Sequence, residues 1–282
     1  MPLILAIPFY MAIAAYLVAA AMSVAHIRGA GDSILLNAKR VAAAGNTLLL
    51  LVFVIRWVQW GRPPFTGMGD SLNLFLILST GIILTVQRQD ALRPLMCFYF
   101  PALAVLAGLT AIIAPKYLIE GPRELNGLLL TIHVGLVFLA FALFFVASLT
   151  SVAYTFKAQH LKQHQTTGFF QKLPSLEQLD TTLFRLIGAG YPVFAITLVL
   201  GLLWAWVQRD SLGAYWFISP KVVFAVVMVL FYATIFHVRR FGLLRGPKLA
   251  YVVFVGFTIL LATYLVLGLM GRFGAYFSGA VS

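Results

Sequence analysis

The sequence predicts an all-α integral membrane protein, a bundle of about eight transmembrane helices with both termini outside. Three observations predict it. Only 10% of the 282 residues are charged and 62% are hydrophobic, whereas soluble domains carry about 25% charged residues. Mean hydropathy is +0.97, more apolar surface than a soluble core of this length can hide. Finally, apolar runs close to the ~20 residues that cross a hydrocarbon core recur along the whole chain.

Taken in order, the expected spans are 3–26, 41–59, 72–87, 95–114, 127–153, 186–207, 221–237 and 249–270. The first is read as a retained span. No Lys or Arg precedes it, and it exceeds the usual apolar length of a signal peptide. The second contains Arg56 and the third is short, so these two are the least typical. The longest connection, 157–185, is expected to be the one real extramembrane segment. The chain divides into an N-terminal four-span region, 1–125, and a second four-span region, 126–282, with an aromatic outer loop at 204–220.

The net charge of +12 would suggest nucleic acid in a soluble protein. Here membrane lipid is the expected surrounding and no nucleic acid partner is expected, because basic residues in short loops set orientation. Arg28, Lys39 and Arg40, then Arg88 and Arg93, then Lys157, Lys162, Lys172 and Arg185, then Arg239, Arg240, Arg245 and Lys248 fall in alternate connections. The other side has Arg56, Arg62, Lys116, Arg123, Arg209, Lys221 and Arg272. The first, larger set is assigned to the cytoplasm.

Polar side chains within spans are costly and commonly functional. His26 closes span one and His237 closes span seven, both near the expected cytoplasmic face. Two neutral imidazoles on opposite sides of a flat macrocycle can hold heme iron; equally, each can be a wet interfacial residue. His133 lies about two turns into span five, near the outer surface, with no second histidine at its depth. It is a further iron-ligand candidate or a core histidine. His160 and His164, spaced i, i+4, read as part of a solvated basic stretch. The single cysteine, Cys97, excludes an internal disulfide, and without a C-x-x-C-H run the chain attaches no heme covalently to itself.

Trp204, Trp206, Tyr215, Trp216 and Phe217 cluster in WAWVQRDSLGAYWFISP (204–220). Such a cluster is either an interfacial belt or a stacking surface for a flat apolar ligand. Gly213 permits a tight turn, and Pro220 suits a first helical turn. In LPSLEQLDTTLFRLIGAGYP (173–192), Ser175 and Gln178 form a weak capping box. Gly188 and Gly190 allow close helix contact. Arg185 is a candidate for a carboxylate such as a heme propionate, or else an orienting charge.

LPSLEQLD (173–180), FRLIGAGYP (184–192), TLVLGLLWA (197–205), LGAYWFISPK (212–221) and FHVRR (236–240) occur in that order. IHVGLVFLAFALFFVASLTSVAYT (132–155) precedes them. Together these segments resemble the cytochrome c assembly family, which includes CcsA, ResC, CcmC and the HemX and YpjD proteins, over about residues 126–280. The first two pieces look most like the HemX and YpjD branch. The resemblance implies a heme-handling membrane protein whose tryptophan-rich outer loop holds heme between outer histidines. It places His133 on the first outer histidine and His237 on the histidine of the H-x-R sequence; His26 is its partner by depth. Leu212, Ile218 and Ser219 depart from the tryptophan motif, and LMGRFGAYF (269–277) lacks the second outer histidine.

The sequence therefore supports a heme-binding protein of the bacterial inner membrane, acting in cytochrome c maturation or in heme delivery and its regulation. Heme b would be held without covalent attachment, with apocytochrome c or other assembly proteins as partners. Any chemistry would be thioether formation on a partner's cysteines, to which this chain contributes iron ligation and positioning; it is more an assembly factor than a complete synthase. The alternative is a non-heme scaffold or accessory subunit of the same fold. A solute transporter finds no paired intramembrane carboxylates and no clear inverted repeat in its favour.

Overall fold

The computed structural model describes residues 3–61, 63–64, 68–113, 128–164, 168–209 and 215–277, and of residues 3, 68 and 267–277 the backbone path alone. Among the described residues nine α-helices follow in order: α1 (Leu3–Ile27), α2 (Ser33–Trp60), α3 (Met68–Val86), α4 (Met96–Ile113), α5 (Leu128–Lys162), the single turn α6 (Phe169–Lys172), α7 (Leu176–Val207), α8 (Pro220–Arg240) and α9 (Pro247–Phe277). All but α6 are long and apolar enough to cross a membrane.

The expected spans are all present, and several helices outrun them. Hydropathy marks the part of a helix that lies in hydrocarbon; the helix itself continues until the backbone finds a cap. Thus α2 starts at Ser33 and includes Lys39 and Arg40, and it ends at Gly61, whose left-handed φ of 64° closes it. Helix α5 runs on to Lys162. Helix α7 begins at a full capping box, in which the Ser175 side chain accepts from the Gln178 N–H and the Gln178 side chain accepts from the Ser175 N–H. Most of the expected connection 157–185 is therefore helical, and the turn around α6 is what remains of it. Pro220 occupies the first turn of α8, as expected.

Lateral order follows from packing. Helix α1 packs on α2 and α4, α3 on α4, α2 and α5, α5 most extensively on α7 and also on α9, and α8 on α7 and α9. In lipid, where apolar burial drives association weakly, small residues and polar groups carry helix contacts. Gly45 of α2 lies so close to α1 that a Cβ there would stand 3.0 Å from Ala15 and 3.2 Å from the Ala12 carbonyl. The Tyr99 hydroxyl joins Thr150 at 2.8 Å, tying α4 to α5.

Arg56, anomalous in the sequence, is buried and paired with buried Asp70 at the start of α3, with its guanidinium over Trp60. A charge in a span is tolerated when paired and hydrogen-bonded, and the partner comes from the neighbouring helix.

The connections that carry the larger basic set converge at one end of the bundle. Lys172 donates to Asp32 at 3.0 Å, Lys39 to the Gln87 carbonyl at 2.9 Å, and Lys157 to the Phe170 carbonyl at 2.6 Å. Asp180 accepts from Arg239 through one oxygen and from the Gly246 N–H through the other. We call this end the basic face.

Candidate functional site

His133 is the best-positioned candidate. It stands on the second turn of α5, half-buried, facing α7. Its Nδ1 lies 2.9 Å from the Thr197 carbonyl oxygen. A carbonyl only accepts, so Nδ1 carries the proton and the neutral ring keeps a lone pair on Nε2. Metal-binding imidazoles are commonly prepared this way, with one nitrogen anchored and the other presented.

The seat for that ring is Gly201, one turn from Thr197. A Cβ at 201 would meet the His133 Cε1 at 2.7 Å, so glycine lets the imidazole lie against α7 where any side chain would displace it. Positions 197, 201 and 204 follow the i, i+4, i+7 spacing of one helix face, which puts half-buried Trp204 beyond the seat on the same side. Trp206 is exposed elsewhere on the helix, with Arg209 over its ring at 4.9 Å. Tyr215 is exposed, and Trp216 packs edge-on against Phe217. The aromatic residues thus do not form one platform among the described residues. Gly213 and Leu212 lie outside those residues, as do the side chains of 269–277.

His26 and His237 both close their helices at the basic face, as expected. They differ in surroundings. The His26 side chain is 1% exposed. Its Nδ1 donates to the Ala30 carbonyl at 2.9 Å, its Nε2 faces Asp32 at 3.8 Å, and Phe169 lies edge-on to the ring. His237 is exposed on α8, its Nδ1 donating to the Ala233 carbonyl at 2.8 Å, beside Tyr191 and Phe236. The two rings share none of these neighbours, and α1 and α8 are not among the well-packed helix pairs. Each histidine alone has the donor state iron needs, and each is anchored through Nδ1 within its own helix end.

Arg185 is exposed on α7, and no ion pair or hydrogen bond engages it among the described residues. The expected Gly188 and Gly190 contacts exist. A Cβ at 190 would stand 2.6 Å from Phe144 of α5, and one at 188 would stand 3.5 Å from Phe236 of α8. His160 stacks on Phe170 and donates Nδ1 to the Phe156 carbonyl. His164 lies past the helix end at φ 54°, so this i, i+4 pair forms no clamp. No cluster of three metal-ligating side chains occurs among the described residues.

Three partners escaped the sequence reading: Thr197, Gly201 and Asp180. Thr197 and Gly201 carried a faint signal, a small polar residue and a glycine one turn apart on α7 at the depth of His133. Asp180 ends LPSLEQLD and Arg239 sits in FHVRR, so two motifs recognised separately are joined by one ion pair.

Comparison with known proteins finds relatives over most of the chain. The model of the Cytochrome C assembly protein family matches residues 69–273. That match begins in α3, so it reaches further toward the N-terminus than the 126–280 expected from motifs. The "Cytochrome c biogenesis protein CcsA" of Chlamydomonas reinhardtii is 26% identical over 259 residues, covering 86% of this chain and 70% of that protein. Its counterpart in Mesostigma viride is 25% identical over 251 residues, covering 80% and 81%. That of Synechococcus sp. (strain CC9605) is 26% identical over 260 residues, covering 82% and 83%. With most of its length matched, spans and ordered motifs together, the chain belongs to the cytochrome c assembly protein family.

Proposed function

We propose that this multi-pass membrane protein takes part in cytochrome c biogenesis by handling heme b, in maturation itself or in heme delivery. The observation that carries the reading is His133: an imidazole anchored through Nδ1, seated on Gly201, and presenting Nε2 next to the face that bears Trp204. The basic face is cytoplasmic and both termini are outside, by the distribution of Lys and Arg. The membrane is a bacterial inner membrane, and the LPSLEQLD and FRLIGAGYP segments favour the HemX and YpjD branch. Apocytochrome c or other assembly proteins are the partners that such a role requires.

The residues available fit a heme. Iron takes neutral imidazole nitrogens, and His133, His237 and His26 each keep Nε2 unprotonated when neutral. His133 would ligate near the outer surface, with Trp204 on the same face of α7 as an aromatic neighbour for the ring system. His237 is the accessible imidazole at the basic face, with Arg185 on α7 offered to a propionate. His26 reaches a ligand there only after Phe169 and the Lys172–Asp32 pair move aside. Bound iron would supply the redox centre; this chain holds and presents it.

The enclosure of His26 favours a second reading, a non-heme accessory subunit of the same fold. Visible spectra of the detergent-purified protein, oxidised and reduced, separate the two. Heme handling predicts a Soret band with split bands on reduction, weakened most by His133→Ala and separately by His237→Ala and His26→Ala. A colourless preparation from heme-replete cells overturns the heme reading and leaves the scaffold.

A further inference from the structure

Helices α2 and α3 meet along a polar seam that runs through the thickness of the bundle. Its rungs keep one antiparallel register. Lys39 of α2 reaches the Gln87 carbonyl of α3. Seven residues on, Asn46 and Thr80 both bond the Tyr16 hydroxyl of α1, at 3.2 and 3.0 Å. Continued seven residues further, the same register sets position 53 against position 73, and the next turn brings Arg56 to Asp70. Residues spaced by seven stay on nearly one helix face, so Asn73, Thr80 and Gln87 form a single stripe. From Asp70 to Gln87 this stripe covers about 26 Å of helix.

The seam is buried yet incompletely bonded. Arg56, Asn73 and Gln87 are 4%, 2% and 1% exposed. Among the described residues, Arg56 Nη2, Asn73 Oδ1 and both side-chain polar atoms of Gln87 have no hydrogen-bond partner. Buried polar groups are nearly always paired, with protein or with ordered water. Asp70 and Asn73 are one turn apart on the same face, so the orphaned donor of Arg56 and the orphaned acceptor of Asn73 lie at one level. At the other end, Gln87 offers one donor and one acceptor group together.

We propose that the α2–α3 seam is an internal water-binding track, holding ordered water between Arg56 and Asn73 and again at Gln87. The ligand is a neutral molecule that both donates and accepts. An ion is disfavoured at either level: the charges of Arg56 and Asp70 cancel, and the Lys39 ammonium is already on the Gln87 carbonyl. Buried water that makes several hydrogen bonds is a structural component, and here it would hydrate the contact between the first helical hairpin and the family-matched helices. The inference does not depend on heme binding.

Water-edited solid-state NMR of the labelled full chain in lipid bilayers tests it directly. Magnetisation from water should reach the Arg56 guanidinium and the Asn73 and Gln87 side-chain amides well ahead of Thr110, which is buried with its hydroxyl on the Leu106 carbonyl. Transfer to all three no faster than to Thr110 overturns the proposal. Asn73→Leu should abolish the fast transfer at Arg56 and preserve it at Gln87, ~21 Å away along the helix. Unchanged transfer at Arg56 in that variant overturns the shared site. If the variant fails to fold, the wild-type measurement decides alone.

Discussion

The two halves of the bundle are held together by different means. Helices α1 to α4 are laced by polar groups: Arg56 with Asp70, Tyr16 with Asn46 and Thr80, and the Cys97 thiol on the Ser23 carbonyl at 3.4 Å. Within the bundle, helices α5, α7 and α8 are packed chiefly by rings set against glycines, with the Asp180–Arg239 pair tying α7 to α8 at the basic face. Phe144 stacks on Tyr232 at 3.6 Å, Phe236 lies between Phe184 and Tyr191, and Gly190 and Gly201 receive Phe144 and His133. Both devices answer the same problem, that lipid weakens the ordinary apolar drive between helices. They have different consequences for a ligand. Polar lacing closes around His26, whereas ring-and-glycine packing leaves His133 half-buried and His237 exposed.

The sharpest way to break the contrast is to remove one partner from the polar half. Arg56→Ala strands the buried Asp70 carboxylate and should destabilise by about 3–5 kcal/mol. The double variant Arg56→Met, Asp70→Leu should recover much of that loss. Thermal unfolding in one detergent measures both, and an additive double variant would show that the pair is not coupled.

In the ring half, volume rather than charge is the vulnerable quantity. Gly190→Val drives a side chain into Phe144 and should cost about 1–3 kcal/mol. By contrast, the buried Tyr232 hydroxyl has no hydrogen-bond partner among the described residues. Tyr232→Phe keeps the stacked ring and removes only that hydroxyl, so the melting temperature should hold or rise slightly. A large drop for Tyr232→Phe would mean that the ring stack itself depends on a polar contact of that hydroxyl.

The smallest effect is expected at the basic face. The Asp32 carboxyl is held below the usual carboxylate range, first by its hydrogen bond from Lys172 and then by that ammonium's charge. A carboxyl whose folded value is depressed stabilises the fold above its unfolded value, about pH 4, and loses that stabilisation as pH falls through the folded value. Asp32 is exposed, so solvent screens the pair. Melting curves from pH 6 to pH 3 should fall slightly less steeply for Asp32→Asn than for the parent chain.

Depth was legible in the sequence and lateral position was not. Span lengths and alternate basic connections placed His26 and His237 at one level, and both do close their helices at the basic face. Which helices become neighbours depends on surface fit, and here α1 goes to α2 and α4 while α8 goes to α7 and α9. A hydropathy pattern holds no information about that choice. Arg56 was conspicuous for the same reason that its partner was not. A lone charge in an apolar run stands out, but Asp70 falls just outside the expected span 72–87. The carbonyl that fixes His133 leaves no trace in residue identity. The N-terminal reach of the family match was missed because α3 and α4 hold few distinctive motifs to set against interchangeable apolar side chains.

Gly201 carries one further implication. The orientation of His133 is encoded on the opposite helix, in a hydrogen atom where every other residue has a carbon. A single added methyl at 201 would push the imidazole off its seat while leaving the histidine itself intact. Mutational surveys that replace histidines alone would overlook half of what fixes this ring.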